Sequence, residues 1–150
     1  MSIKKPQAVF YDKLRKGMPM VHWQRIESGE IAQGIPDLNG CLLGREAWIE
    51  LKIAAGGENA TRFTSALTPL QANWLAARYS HGGNCFVGAL KMFKKKTPND
   101  FVMRFWNGGQ ARMVEQRHWE APYCAEFSTH IYGDDIFATV QKYLFNGGPR

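Results

Sequence analysis

Residues 34–53 read GIPDLNGCLLGREAWIELKI, and the folding of this stretch decides the architecture of the chain. Leu38 to Leu43 and Ala47 to Ile53 both have strand character, with Gly44-Arg45 between them as a two-residue hairpin turn with glycine first. Trp48, Ile49, Leu51 and Ile53 make the second segment almost continuously apolar, as suits a central strand covered on at least one face. Glu50 and Lys52 interrupt it two residues apart, so both point to the same side of the strand. With the turn at Gly44-Arg45, Asp37 is expected opposite Lys52, with Glu50 its diagonal neighbour on the same face.

Two carboxylates and one ammonium then converge without any long-range assumption. Carboxylates this close repel each other unless a cation sits between them. A hard divalent ion, Mg²⁺ or Mn²⁺, suits carboxylate, backbone carbonyl and water ligands. At a phosphodiester such an ion lowers the pKa of a bound water and offsets charge on the phosphate oxygens. Lys52 beside it would position or deprotonate the attacking water, or stabilise the transition state, and the sequence leaves these roles open. Each piece alone has an ordinary reading. A Glu-x-Lys on a strand is commonly a solvated face or an ion pair, and Pro-Asp commonly starts a turn. Joined in this order, they are far more specific.

Upstream, the spacing of Ala8, Val9, Phe10 and Leu14 predicts a helix from Pro6 to Lys16, stopped by Gly17. Met20 to Glu27 reads as a strand. Downstream, residues 54–67 form a long glycine-containing loop, expected to be functional or mobile. Thr68-Pro69-Leu70-Gln71 opens a helix that runs to about Ser80, with Thr68 as N-cap. Asn84 to Leu90 reads as a buried strand. Phe101–Trp106 and Gln110–Glu115 flank Asn107-Gly108-Gly109 as a hairpin, and Asp134 to Phe145 as a final helix. The order predicts an α/β fold: a mixed central sheet flanked by helices, with an αβββαβ core and a C-terminal hairpin and helix.

The 150 residues are about the size of one domain (residues 1–150), with residues 21–90 as its catalytic core. Residues 91–150 carry no readable motif and are left to dimer formation or to clamping DNA. With 45% apolar and 21% charged residues the chain reads as globular. No apolar run reaches the ~20 residues that span a bilayer. Met1-Ser2-Ile3-Lys4-Lys5-Pro6 lacks the apolar core of a signal peptide. Cys41, Cys85 and Cys124 are scattered without a CxxC pair, which points to buried thiols in a reducing compartment, the cytoplasm, and not to a disulfide framework or a structural zinc.

Nineteen Lys and Arg against 13 Asp and Glu leave a net charge of +6, which favours a polyanionic partner. Lys94-Lys95-Lys96, Arg62 and Arg25 are the candidate phosphate-backbone contacts, set against the commoner reading of a lysine run as a solvated turn. His22, His81, His118 and His130 have no metal-ligand spacing. The five tryptophans read as core before they read as base-stacking platforms.

Gly34-Ile-Pro-Asp37, Trp48-Ile-Glu-Leu-Lys52 and Thr68-Pro-Leu-Gln71 together resemble the PD-(D/E)XK nuclease superfamily, especially its small virus-type (VRR-Nuc-like) branch, over roughly residues 21–90. The resemblance implies a restriction-endonuclease-like domain that hydrolyses DNA with Mg²⁺. It implies that Asp37, Glu50 and the Leu51 carbonyl bind the ion, that Lys52 assists attack, and that Gln71 faces the site. Many members supply a further acidic residue from the first helix. Here that helix offers only Asp12, and Glu27, just upstream of Gly34, is the better substitute. Stand-alone members of this size resemble phage-encoded Holliday junction resolvases, which implies a homodimer acting on branched DNA. A less selective nicking or degrading nuclease is the alternative within the class. A non-catalytic nucleic-acid-binding module would be expected to break the acidic pair, and a structural protein would leave the cluster a coincidence.

Overall fold

The computed structural model describes residues 6–26, 34–93 and 100–146. Six strands form one mixed sheet in chain order: β1 (His22–Arg25), β2 (Leu38–Leu42), β3 (Arg45–Ala54), β4 (Cys85–Met92), β5 (Phe101–Asn107) and β6 (Ala125–Ser128). Only β3 and β4 run parallel, because the helix α2 (Pro69–Ser80) carries the chain back between them. The other neighbours are antiparallel. The expected α/β architecture is therefore present.

Strand alternation divides the side chains of β3 between two faces. Ile49 and Leu51 join Phe86, Leu90, Met103 and Phe105 in a core covered by Phe10 and Leu14 of α1 (Pro6–Gly17) and Val140 and Leu144 of α5 (Ile136–Phe145). Glu50, Lys52 and Ala54 point to the opposite face. There Leu75 of α2, Val87, Ala89, Trp106, and Val114 of α3 (Ala111–Arg117) form a second core.

The hairpin turn falls one residue earlier than its sequence suggests. Leu42 pairs with Arg45, so Leu43 and Gly44 make the turn, with φ of 51° and 81°. Positive φ at both central residues is the type I′ requirement, and its twist matches the flanking strands. Leu43 accepts that conformation while 97% exposed. The shift moves the register by two residues. Leu38 pairs with Ile49, and one step further sets Asp37 across from Glu50 rather than Lys52.

A second expectation fails outright. Gln110–Glu115 is no strand: a 3-10 turn (Gly108–Gln110) leads directly into α3. Ala111 and Val114, three apart, bury one side of that helix, a helical period in a segment too short to show it clearly. The partner of β5 is instead β6, followed by the one-turn helix α4 (Thr129–Tyr132). Residues 101–146 thus complete the sheet and the core on both its faces. The long loop is anchored rather than loose. Ala54 bridges Phe63, the Thr64 N–H donates to the Ile53 carbonyl (2.8 Å), and Ala60, Phe63 and Leu67 are buried.

Candidate active site

Asp37, Glu50, Lys52 and Gln71 meet on the α2 face of the sheet. Glu50 and Lys52 are each only 2% exposed, although carboxylates and ammonium groups seldom leave water without a partner. Lys52 Nζ lies 3.5 Å from Glu50 Oε2 and donates to the Ala66 carbonyl in the loop above (3.3 Å). Asp37 Oδ2 accepts from the Leu51 backbone N–H (3.0 Å), which ties the end of β2 across the hairpin to β3. Gly34 sets up this approach. Its φ is +90°, and a Cβ there would come within 2.7 Å of the Leu70 carbonyl at the start of α2.

Gln71 reaches the site through helix capping. Thr68 Oγ1 accepts from the Gln71 N–H (3.2 Å), and Gln71 Oε1 accepts from the Thr68 N–H (2.9 Å), a reciprocal capping box. The other end of the Gln71 amide, Nε2, donates to Glu50 Oε2 (3.1 Å). The sequence signal for a helix start therefore also places a donor on the buried carboxylate.

Two properties of Glu50 define the electrostatics. Burial, and then the neighbouring Asp37 charge, push its carboxyl up to about 9, outweighing the Lys52 ammonium that pulls it down. Its second oxygen, Oε1, is buried and has no hydrogen-bond partner among the described residues. While it keeps its proton the carboxyl can donate to Asp37, but once the proton leaves, two carboxylates face each other with a buried oxygen lacking a donor, and that arrangement calls for a partner. A cation between Asp37 and Glu50 would supply it and reverse the protonation preference. No group of three or more His, Cys, Asp or Glu side chains gathers among the described residues, so the side-chain donors are these two carboxylates. Such a set suits Mg²⁺, which typically takes one or two carboxylates and fills its shell with water and substrate oxygens.

The remaining candidates divide. Glu27 and Lys94-Lys95-Lys96 lie outside the described residues. Arg25 is paired with Leu38 of the opposite core, and its guanidinium sits 5.2 Å from the Tyr11 ring of α1, so it turns away from Glu50. Asp12 pairs with Arg15 along α1 (3.6 Å), on the helix that covers the other face. Arg62 lies exposed in the loop above Lys52, where its charge reaches His118. His118 is the residue the sequence does not flag. It is buried, with φ of 53°, and its Nδ1 accepts from the Phe63 N–H (3.0 Å), pinning the loop that also holds Lys52. Burial, then Arg62 and Lys52, lower its pKa, which keeps Nδ1 free to accept. Fifty-five residues separate the partners, so no local spacing announces the contact. No protein-family model matches the chain, and no curated protein matches it either.

Proposed function

We propose that this chain is an Mg²⁺-dependent DNA endonuclease that hydrolyses phosphodiester bonds at branched, four-way-junction-like DNA. The observation that carries the chemistry is the pairing of Asp37 with a buried Glu50 whose Oε1 has no partner, with Lys52 alongside. Asp37, Glu50 and the Leu51 carbonyl would hold the ion. When bound, it supplies a water of lowered pKa and positive charge for the phosphate oxygens. Gln71 orients the Glu50 carboxylate through Oε2 and leaves Oε1 available. Glu50 must release a proton to bind, so ion affinity rises with pH. Lys52, steadied by Ala66, aims a donor at the attacking water or at a phosphate oxygen. Junction preference, a homodimer and action in the cytoplasm rest on the resemblance of the sequence motifs to phage resolvases. The free thiols of Cys41, Cys85 and Cys124 accord with the last of these.

The test is cleavage of a labelled four-way junction beside a linear duplex of matching sequence, with Mg²⁺, with EDTA, and with the Glu50→Ala protein. Paired nicks in the junction alone, lost with EDTA and with Glu50→Ala, are expected. Metal-dependent cutting of both substrates would favour the less selective nuclease. Salt-sensitive binding without cutting in Mg²⁺ or Mn²⁺ would leave a binding module and overturn the proposal.

A further inference from the structure

The contact between β3 and α2 continues past the carboxylates. Trp48 precedes Glu50 by two residues on the same strand face, and Trp74 follows Gln71 by three on the same helix face. Glu50–Gln71 and Trp48–Trp74 are therefore successive rungs of one interface, the first polar and the second aromatic. The two indole rings lie 5.5 Å apart, inclined at 57°, and both remain partly exposed. One helical turn further, the Arg78 guanidinium covers them, 4.5 Å from the Trp74 ring and 5.8 Å from the Trp48 ring. Among the described residues no carboxylate pairs with Arg78, so its charge is held by aromatic faces alone. The patch opens into a cleft of about 530 Å³ lined by Trp74, Ala77, Arg78, His81, Gly82 and Gly83. The exposed His81 has its Nδ1 2.8 Å from the Ala77 carbonyl and 3.3 Å from Ser80 Oγ. Asn39, the cross-strand partner of Trp48, has a buried Nδ2 without a hydrogen-bond partner among the described residues.

We infer that the Trp48–Trp74–Arg78 patch is a subsite for an unpaired nucleotide of the DNA substrate, its base stacked on the platform that Trp74 and the Arg78 guanidinium form together and its phosphate held by the guanidinium N–H groups. Partly exposed indoles with an unpaired guanidinium are the elements of single-strand recognition. Every base has a face to stack, and the backbone supplies the anion. A base inside an intact duplex cannot reach such a surface. From Gln71 to Arg78 is about 10 Å at the helical rise of ~1.5 Å per residue. The subsite thus holds a frayed or single strand beside the bond presented to Asp37 and Glu50. This inference rests on the nuclease reading of that site.

Fluorescence anisotropy with a labelled oligothymidylate, and with a blunt duplex of equal length, both in EDTA, tests it without requiring cleavage. Trp74→Ala and Arg78→Ala should each weaken oligothymidylate binding by about 5- to 100-fold, and leave duplex binding within about threefold. Trp74→Phe, which keeps a stacking face, should restore most of the affinity. Arg78 is exposed, so its variant reports even where Trp74→Ala fails to fold. Equal binding of oligothymidylate by wild type and both variants would overturn the subsite. So would a uniform loss on both probes. Binding that behaves as expected in a protein that never cuts would instead sink the nuclease reading and leave a single-strand-binding patch.

Discussion

The two faces of the sheet use the same six strands and bury different chemistry. Against α1 and α5 the strands present Ile49, Leu51, Phe86, Leu90, Met103 and Phe105, packed ring on ring with Tyr143 and Phe127. Against α2 and α3, alternate positions of the same β3 and β4 bury Glu50, Lys52 and Lys91 among Ala54, Val87, Ala89 and Trp106. Lys91 is steadied by the Trp119 ring 4.1 Å away and by the Glu58 carbonyl (3.3 Å). An apolar layer stabilises in proportion to the area it hides. A layer that takes charges out of water opposes its own folding unless they are well paired. Buried Glu50 and Lys52, 3.5 Å apart, therefore make this the polar side of the sheet, the side on which the proposed chemistry is placed.

Equivalent truncations on the two sides would break this comparison most sharply. Glu50→Ala and Lys52→Ala are expected to lower Mg²⁺-dependent cleavage by at least about 10²-fold in a protein that still folds. Leu90→Ala, on the apolar side, should cost about 2–5 kcal/mol in urea unfolding and leave cleavage per folded molecule unchanged. If Leu90→Ala lowered the rate as much as Lys52→Ala while folded, the division of labour would be wrong.

A smaller effect sharpens it thermodynamically. Mg²⁺ at about 100 times its Kd should stabilise the wild type by about 2.7 kcal/mol. That amounts to about 5–10 °C in Tm for a chain this size. Glu50→Gln should abolish the increase. In EDTA the same variant should be the more stable protein, and its advantage should grow with pH. The reason is the sign of the shift. The Glu50 carboxyl sits at about 9, above its ordinary 4.5, so the folded state keeps a proton that the unfolded chain releases. Stability from that group is complete below 4.5 and is lost as pH rises through 9. Thermal melts across that window would show a steeper decline for the wild type than for Glu50→Gln.

The smallest expected effect concerns the loop over Lys52. His118 has a lowered pKa, so its contribution is present above 6.5 and is lost as pH falls from there towards the folded value. Protonation of Nδ1 removes the acceptor of the Phe63 N–H. Amide exchange at Phe63, compared at matched intrinsic rates, should accelerate on acidification through that range and should be pH-insensitive in His118→Gln.

How much of this was readable beforehand depended on whether the cause was local. Thr68, Pro69 and Gln71 announce α2 because capping acts within four residues, and WIELKI announces β3 because alternation acts within two. The meeting of Asp37, Glu50 and Lys52 followed from that alternation and the hairpin, while the place of Gln71 beside them was implied by the family resemblance alone. The hairpin register did not follow. Gly44 permits glycine-first and glycine-second turns alike, and the two registers differ by two residues, so Leu38 faces the α1 core in either and alternation does not distinguish them. The strand expected at Gln110–Glu115 failed because so short a segment shows a single helical interval, Ala111 to Val114, which is too little to set against the turn signal at Gly108-Gly109. β6 was missed because four residues, Ala125–Ser128, carry too little pattern. The Ala66 and His118 contacts depend on the closed loop and have no linear signature.

The Gln71 amide has a consequence for how this sequence can drift. Its oxygen is committed to the Thr68 N–H and its nitrogen to Glu50, so the group cannot turn over without placing two acceptors face to face. Glutamate would keep the cap and set a third carboxylate against Glu50, while leucine would keep the helix and abandon both ends. Neither neighbour in chemical space preserves both duties. Lineages descending from this chain should therefore hold position 71 more tightly than its half-exposed setting would suggest, and any that abandon it should show a compensating donor near Glu50.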